Sequence, residues 1–140
     1  MESSEQLPGE IVIAAGKAFP GALACQSPLD PLLMVFAQEA AAIQAQYRRQ
    51  GHHDWDRRRH KILAAIAAAA DGVRGVEEIC AESWADHDGY PLEVISREMF
   101  ESWRTSRGHW SVASRVHARL GAGMARGANG IWYATILVAD

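Results

Sequence analysis

The 140-residue chain is poor in cysteine: only Cys25 and Cys80, too few for a disulfide scaffold. Cys80 sits in an apolar run, and free cysteine is often buried, so two buried thiols are expected rather than a bridge. Positive charge is not in excess. Fourteen Lys and Arg against seventeen Asp and Glu leave a net charge of -3, whereas a duplex-binding domain shows a basic excess, so nucleic-acid binding is disfavoured. No apolar run reaches about 18 residues, so no transmembrane segment is expected. The opening Met1-Glu2-Ser3-Ser4-Glu5 is acidic, and the apolar stretch from Ile11 to Ala15 is too short for an export signal. No glycine-rich phosphate loop, no G-x-G-x-x-G and no G-x-S-x-G occurs, which removes the local signatures of nucleotide binding and of the serine nucleophile elbow. H-E-x-x-H and C-x-x-C metal signatures are missing too.

What is present fits one folded domain. At this length about two-thirds of the unfolded chain's surface can be buried, and a 49% apolar, 22% charged composition argues against wholesale disorder. Residues 1 to 29 hold six breaks that spoil periodicity (Pro8, Gly9, Gly16, Pro20, Gly21 and Pro28) and read as an irregular lead-in with one short helix around Glu10 to Phe19. Residues 30 to 140 read as the single domain. Asp30-Pro31 is an N-cap followed by proline at the first helical position. Leu32, Leu33, Phe36, Ala40, Ile43 and Tyr47 then recur at helical steps up to Gly51. A second helix is expected from Asp56 to Ala70, closed by Asp71-Gly72, with Ile62, Leu63 and Ile66 as anchors. Val76 to Trp84 reads as a loop entering a short helical turn. Pro91 opens a third helix with a stripe of Leu92, Ile95, Met99 and Trp103, stopped at Thr105 to Gly108. Trp110 to Val116 reads as strand or loop. Gly121 to Ala125 and Ile131 to Val138 read as a hairpin joined through Asn129-Gly130. Helices first and a hairpin last predict an α+β fold. Gly121-Ala122-Gly123 reads as a strand packed close to a helix.

The only residues that could carry chemistry are histidines and carboxylates near element ends: His52, His53, His109, Glu77 and Glu78. Such a set suits a divalent ion or a general acid/base pair. The Arg57-Arg58-Arg59 run with Arg48 and Arg49 reads as a solvated helix face, with a site for an anionic ligand or lipid headgroup as the alternative.

Trp103-Arg104-Thr105-Ser106-Arg107-Gly108-His109 resembles the W-x-x-S-x-G-H segment of the CAP superfamily (SCP-like domains: cysteine-rich secretory proteins, antigen 5 and pathogenesis-related 1 proteins). Downstream, Gly121-Ala122-Gly123, Asn129-Gly130 and the run from Trp132 to Leu137 are similar to that family's closing strands. Upstream, Glu78-Ile79-Cys80-Ala81 resembles its E-N-V-A segment. The likeness covers roughly residues 30 to 138 and is best over the last forty; it is of the bacterial, cysteine-poor type.

The resemblance implies an α-β-α sandwich with helices around a small, mainly antiparallel sheet. It also implies a shallow cavity holding Zn2+ or another divalent cation on His53, Glu78 and His109, with His52 competing for the place of His53 and Glu77 for that of Glu78. Two positions depart from the pattern. Ile79 stands where the family has asparagine, and Ser106 where it has a second glutamate, a place that Glu98 or Glu101 could fill only through the fold. The implied function is an extracellular or periplasmic type of binding or interaction domain for an unknown small molecule, lipid or protein. The alternatives are a metal-assisted, protease-like hydrolase with Glu78 as base, a lipid- or sterol-binding module, and a domain whose histidines only form hydrogen bonds.

Overall fold

A computed structural model describes residues 6–69 and 72–140; the helix end expected at Ala70-Asp71 lies outside the described residues. Among the described residues, five α-helices surround one three-stranded antiparallel sheet. In chain order these are α1 (Pro8–Ala18), α2 (Pro31–Tyr47), α3 (Trp55–Ala69), β1 (Val76–Glu82), α4 (Leu92–Arg104), α5 (Arg107–Ala113), β2 (Arg119–Arg126) and β3 (Trp132–Ala139). The strand order is β1-β3-β2, so the last strand is the central one and both earlier strands are edges. The sheet is the middle of three layers: the fold is α+β, in an α-β-α arrangement.

Strand periodicity divides the core. Val76, Leu137 and Ala139 face Leu33, Ala37, Ile62 and Ile66 of α2 and α3. Ile79, Ala81, Leu120, Ala122, Ile136 and Val138 face the other way, onto α1, α4 and α5. The hairpin was legible: Gly121 pairs with Leu137 and Ala125 with Tyr133. Trp103 is 1% exposed and its Nε1 donates to the carbonyl of Cys80 at 2.8 Å. Both cysteines are free and buried.

Three differences from the sequence reading have physical causes. Val76–Glu82 is a strand, not a loop and turn. Its acidic residues hid the period: Glu77 and Glu82 point to solvent and Glu78 points in, and the pairing partner β3 lies more than fifty residues away. Trp110 to Val116, expected as strand or loop, is helical as far as Ala113, the end of α5, held by contacts such as Trp110 against Phe19 at 6.1 Å between ring centroids.

In α2 the buried face is not the stripe of large residues. It is Leu33, Ala37, Ala40, Ala41 and Gln44, while Leu32 and Tyr47 are exposed. Glycines on β2 explain this. A Cβ on Gly121 would lie 2.2 Å from the backbone of Leu33, and one on Gly123 would lie 2.4 Å from that of Gln38, so α2 rests directly on the strand and only small side chains fit between. The short helix expected around Glu10 to Phe19 is present as α1, Pro8–Ala18, and its Val12 and Ile13 enter the core.

Candidate functional site

The α2–α3 connection is pinned on both sides. Gly51 donates its N–H to Gln44 Oε1 at 3.2 Å, and its carbonyl accepts from the Cys80 thiol at 3.5 Å. Gln44 in turn donates to Thr135 Oγ1 at 2.8 Å and to the carbonyl of Ala134 at 3.0 Å. This fixes His52 beside the outer edge of β1. There its Nδ1 meets Glu78 Oε1 at 2.9 Å.

Glu78 is the centre of the arrangement. Its side chain is 1% exposed, and Arg58 grips it with both ends of the guanidinium fork, Nη1 to Oε2 at 2.7 Å and Nη2 to Oε1 at 2.9 Å. Burial alone would push the Glu78 carboxyl up; the hydrogen bonds from His52 and Arg58, with the charge of Arg58, outweigh it and hold the carboxyl below its ordinary value. An ionised carboxylate only accepts, so His52 donates from Nδ1 and leaves Nε2 as its available ring nitrogen. Arg58 is itself positioned by donating Nε–H to the carbonyl of His53 at 2.7 Å and by lying 5.2 Å over the Trp55 ring.

His52 and Trp55 form one wall of a cleft of about 310 Å³ along β1, floored by residues 76–79 and walled opposite by Gly108, His109 and Val112 of α5. His109 titrates below its ordinary value, first because it is partly buried and second because of the charge on nearby His52. His52 and His109 thus face one hollow from opposite sides of the sheet edge.

His52, Glu78 and Cys80 also bring a ring nitrogen, a carboxylate oxygen and a sulfur within 4.8 Å of one another, a group that could hold a metal ion. Its donor chemistry is restrained by its neighbours. Arg58 already occupies both carboxylate oxygens, and burial followed by the charge of Glu78 pushes the Cys80 thiol up, away from the thiolate that binds metals.

The other residues singled out from sequence lie apart. His53 is exposed, donates from Nε2 to the carbonyl of Arg49 at 2.8 Å and stacks on Tyr47 at 4.6 Å; it does not line the cleft. Glu77 does line it, with its side chain outward. Glu98 is exposed, Glu101 pairs with Arg104 on an exposed face, and Ser106 precedes α5 as its N-cap. None of these three lines the cleft.

Arg58 was missed because it sits in an arginine run. The signal was its phase: Arg58, Ile62 and Ile66 follow at four-residue steps, and the two isoleucines are buried.

Compared with known proteins, the chain matches no family model and no curated protein. Among solved structures it is similar to an outer surface protein from Borrelia burgdorferi, with 15% sequence identity and a TM-score of 0.65 over 99% of this chain and 98% of that one. At that identity the likeness is one of fold.

Proposed function

We propose that the protein is a CAP-like binding domain, not a hydrolase, and that its cleft takes a divalent cation such as Zn2+ on His52 and His109. The observation that carries this reading is the state of Glu78. A general base needs a free lone pair and an affinity for the proton, whereas this carboxylate already accepts hydrogen bonds from His52, twice from Arg58 and from the Cys80 thiol, and is held below its ordinary value. What it does instead is orient an imidazole. A metal-ligating histidine commonly donates its other ring N–H to a carboxylate, and His52 does so, turning Nε2 to the cleft. In this reading His52, rather than His53, is the first ligand, and Glu78 supports it from behind. The surface location in the name of the Borrelia burgdorferi protein supports an extracellular-type setting.

The test is titration calorimetry of EDTA-treated protein with ZnCl2 at pH 7.5. One ion per chain is expected, lost in His52→Ala and in His109→Ala and kept in His53→Ala. No uptake by the wild type removes the metal reading; uptake kept in His52→Ala assigns it to the wrong residues.

A second reading, a lipid-binding module, is favoured by an apolar groove of about 580 Å³ at the opposite sheet edge, where Leu7, Met34, Val35 and Ala122 are among the lining residues. A fluorescent fatty acid should bind there, and Val35→Arg should abolish its signal; an unchanged signal in the variant discards this reading.

A further inference from the structure

We propose that the β1 cleft takes an extended peptide segment of a partner protein, which adds as a fourth strand and pairs with the backbone of Val76 and Glu78. This rests on the reading of the cleft as a binding site and names the class of its partner.

The register decides which backbone groups face outward. Gly75 and Asp140 exchange both backbone hydrogen bonds, at 3.1 Å each, and Ser83 donates to Trp132 at 2.8 Å. Hydrogen-bonded and non-bonded pairs alternate along an antiparallel ladder. Glu77, Ile79 and Ala81 therefore turn their N–H and C=O toward β3, and Val76, Glu78 and Cys80 turn theirs toward the open edge. The carbonyl of Cys80 is taken by Trp103 Nε1. Among the described residues the outward groups of Val76 and Glu78 meet no partner.

The other edge of the sheet is treated differently. Leu120 exchanges bonds with Pro28 and Asp30 at 2.9 Å each. The amide of Ala122 meets Met34 Sδ at 3.4 Å, and Met124 is bracketed by the side-chain amide of Gln38 at 3.1 and 2.9 Å. Covering an edge is how folded proteins prevent stray strand pairing. Here the outward groups of Leu120 and Met124 and the amide of Ala122 on β2 are covered, while β1 is left open where the cleft lies.

The outward groups of Val76 and Glu78 are spaced by two residues, about 7 Å, which is the repeat of a facing strand. A peptide backbone satisfies all four; a lipid chain or a bare cation does not. Alternate side chains of the added strand would lie against His52 and Trp55 on one face and against Gly108, His109 and Val112 on the other.

The test uses EDTA-treated full-length protein, nitrogen-15 labelled, titrated with acetyl-Val-Thr-Val-Thr-Val-amide and with two analogues N-methylated at its odd or its even residues. Saturable shifts at the Val76 and Glu78 amides are expected, and one analogue should bind at least tenfold more weakly. In the free protein these two amides should exchange with solvent faster than those of Glu77 and Ile79. A Cβ on Gly108 meets nothing within 4 Å, so Gly108→Phe should fill the cleft and weaken the peptide at least tenfold while the melting temperature holds. Slow exchange at Val76 and Glu78, no shift at millimolar peptide, or equal binding of both analogues overturns the proposal. Zinc is titrated separately, so uptake of zinc without peptide refutes only the strand pairing, and peptide binding without zinc refutes only the metal.

Discussion

Replacing Arg58 by methionine isolates what holds Glu78 in the fold. The substitution keeps a flexible apolar stem of similar reach and removes the fork. Both hydrogen bonds from Arg58 to the carboxylate go with it, leaving His52 and the long contact from the Cys80 thiol at 3.6 Å. The Arg58 side chain is 13% exposed and that of Glu78 1%, so solvent cannot replace the lost partner. Breaking a buried pair in this way costs roughly 3–5 kcal/mol at neutral pH, which for a domain of this size lowers the melting temperature by roughly 10–20 °C.

The pH dependence sharpens the test. In the wild type Glu78 titrates below its unfolded value, so its contribution is present above about pH 4.3 and is lost as pH falls through the folded value. In the variant, burial becomes the dominant influence and the folded carboxyl titrates above its unfolded value. The penalty is then full at neutral pH and shrinks as pH falls through that raised value, because the carboxyl enters the core neutral. Urea denaturation of wild type and variant at pH 7 and at pH 4.5 measures both differences. Adding Glu78→Gln to Arg58→Met should recover much of the loss, since a pair removed together leaves no orphaned charge. A variant as stable as wild type at pH 7, or an equal loss at both pH values, refutes the assignment.

Trp103→Ala should cost roughly 3–5 kcal/mol in the same denaturation assay, because the ring is buried and its N–H covers the carbonyl of Cys80; an unchanged melting temperature contradicts this placement. Gly123→Ala places a Cβ 2.4 Å from the α2 backbone and should destabilise by about 1–3 kcal/mol or more, whereas Gly75→Ala, where a Cβ meets nothing within 4 Å, should change stability far less. Amide exchange should be slowest at Tyr133–Leu137 of β3, which is hydrogen-bonded on both sides; fast exchange there contradicts the strand order. If zinc binds as proposed, its affinity should fall with pH through the histidine range near 6.5, and His109, titrating low, should stay a competent ligand to lower pH than an ordinary imidazole; a pH-independent affinity excludes histidine ligation.

Local chemistry in the chain determined helices α1 to α4 and the hairpin. Asp30 does cap α2, accepting from the amides of Leu32 and Leu33 at 2.8 and 3.1 Å. The four-residue steps from Ile95 to Trp103 do form a buried face, and Asn129-Gly130 does turn β2 into β3 with Gly130 at φ 82°. Each of these is an interaction between near neighbours, which a sequence displays directly.

The candidate site was legible only in part. The sequence named Glu78, His109 and the His52–His53 pair, but only the fold separates the two histidines: the reversal after α2 sends His53 back onto Tyr47 and turns His52 to the sheet edge. β1 was hidden because its partner is the last strand, and a carboxylate there looks like a solvent residue until Arg58, twenty positions earlier, is seen to neutralise it. Gln44, Thr135 and Cys80 joined the site in the same way. A buried charge is permitted only by its partners, and those partners are brought together by packing across the sheet, a relation between distant residues that no periodicity or spacing records.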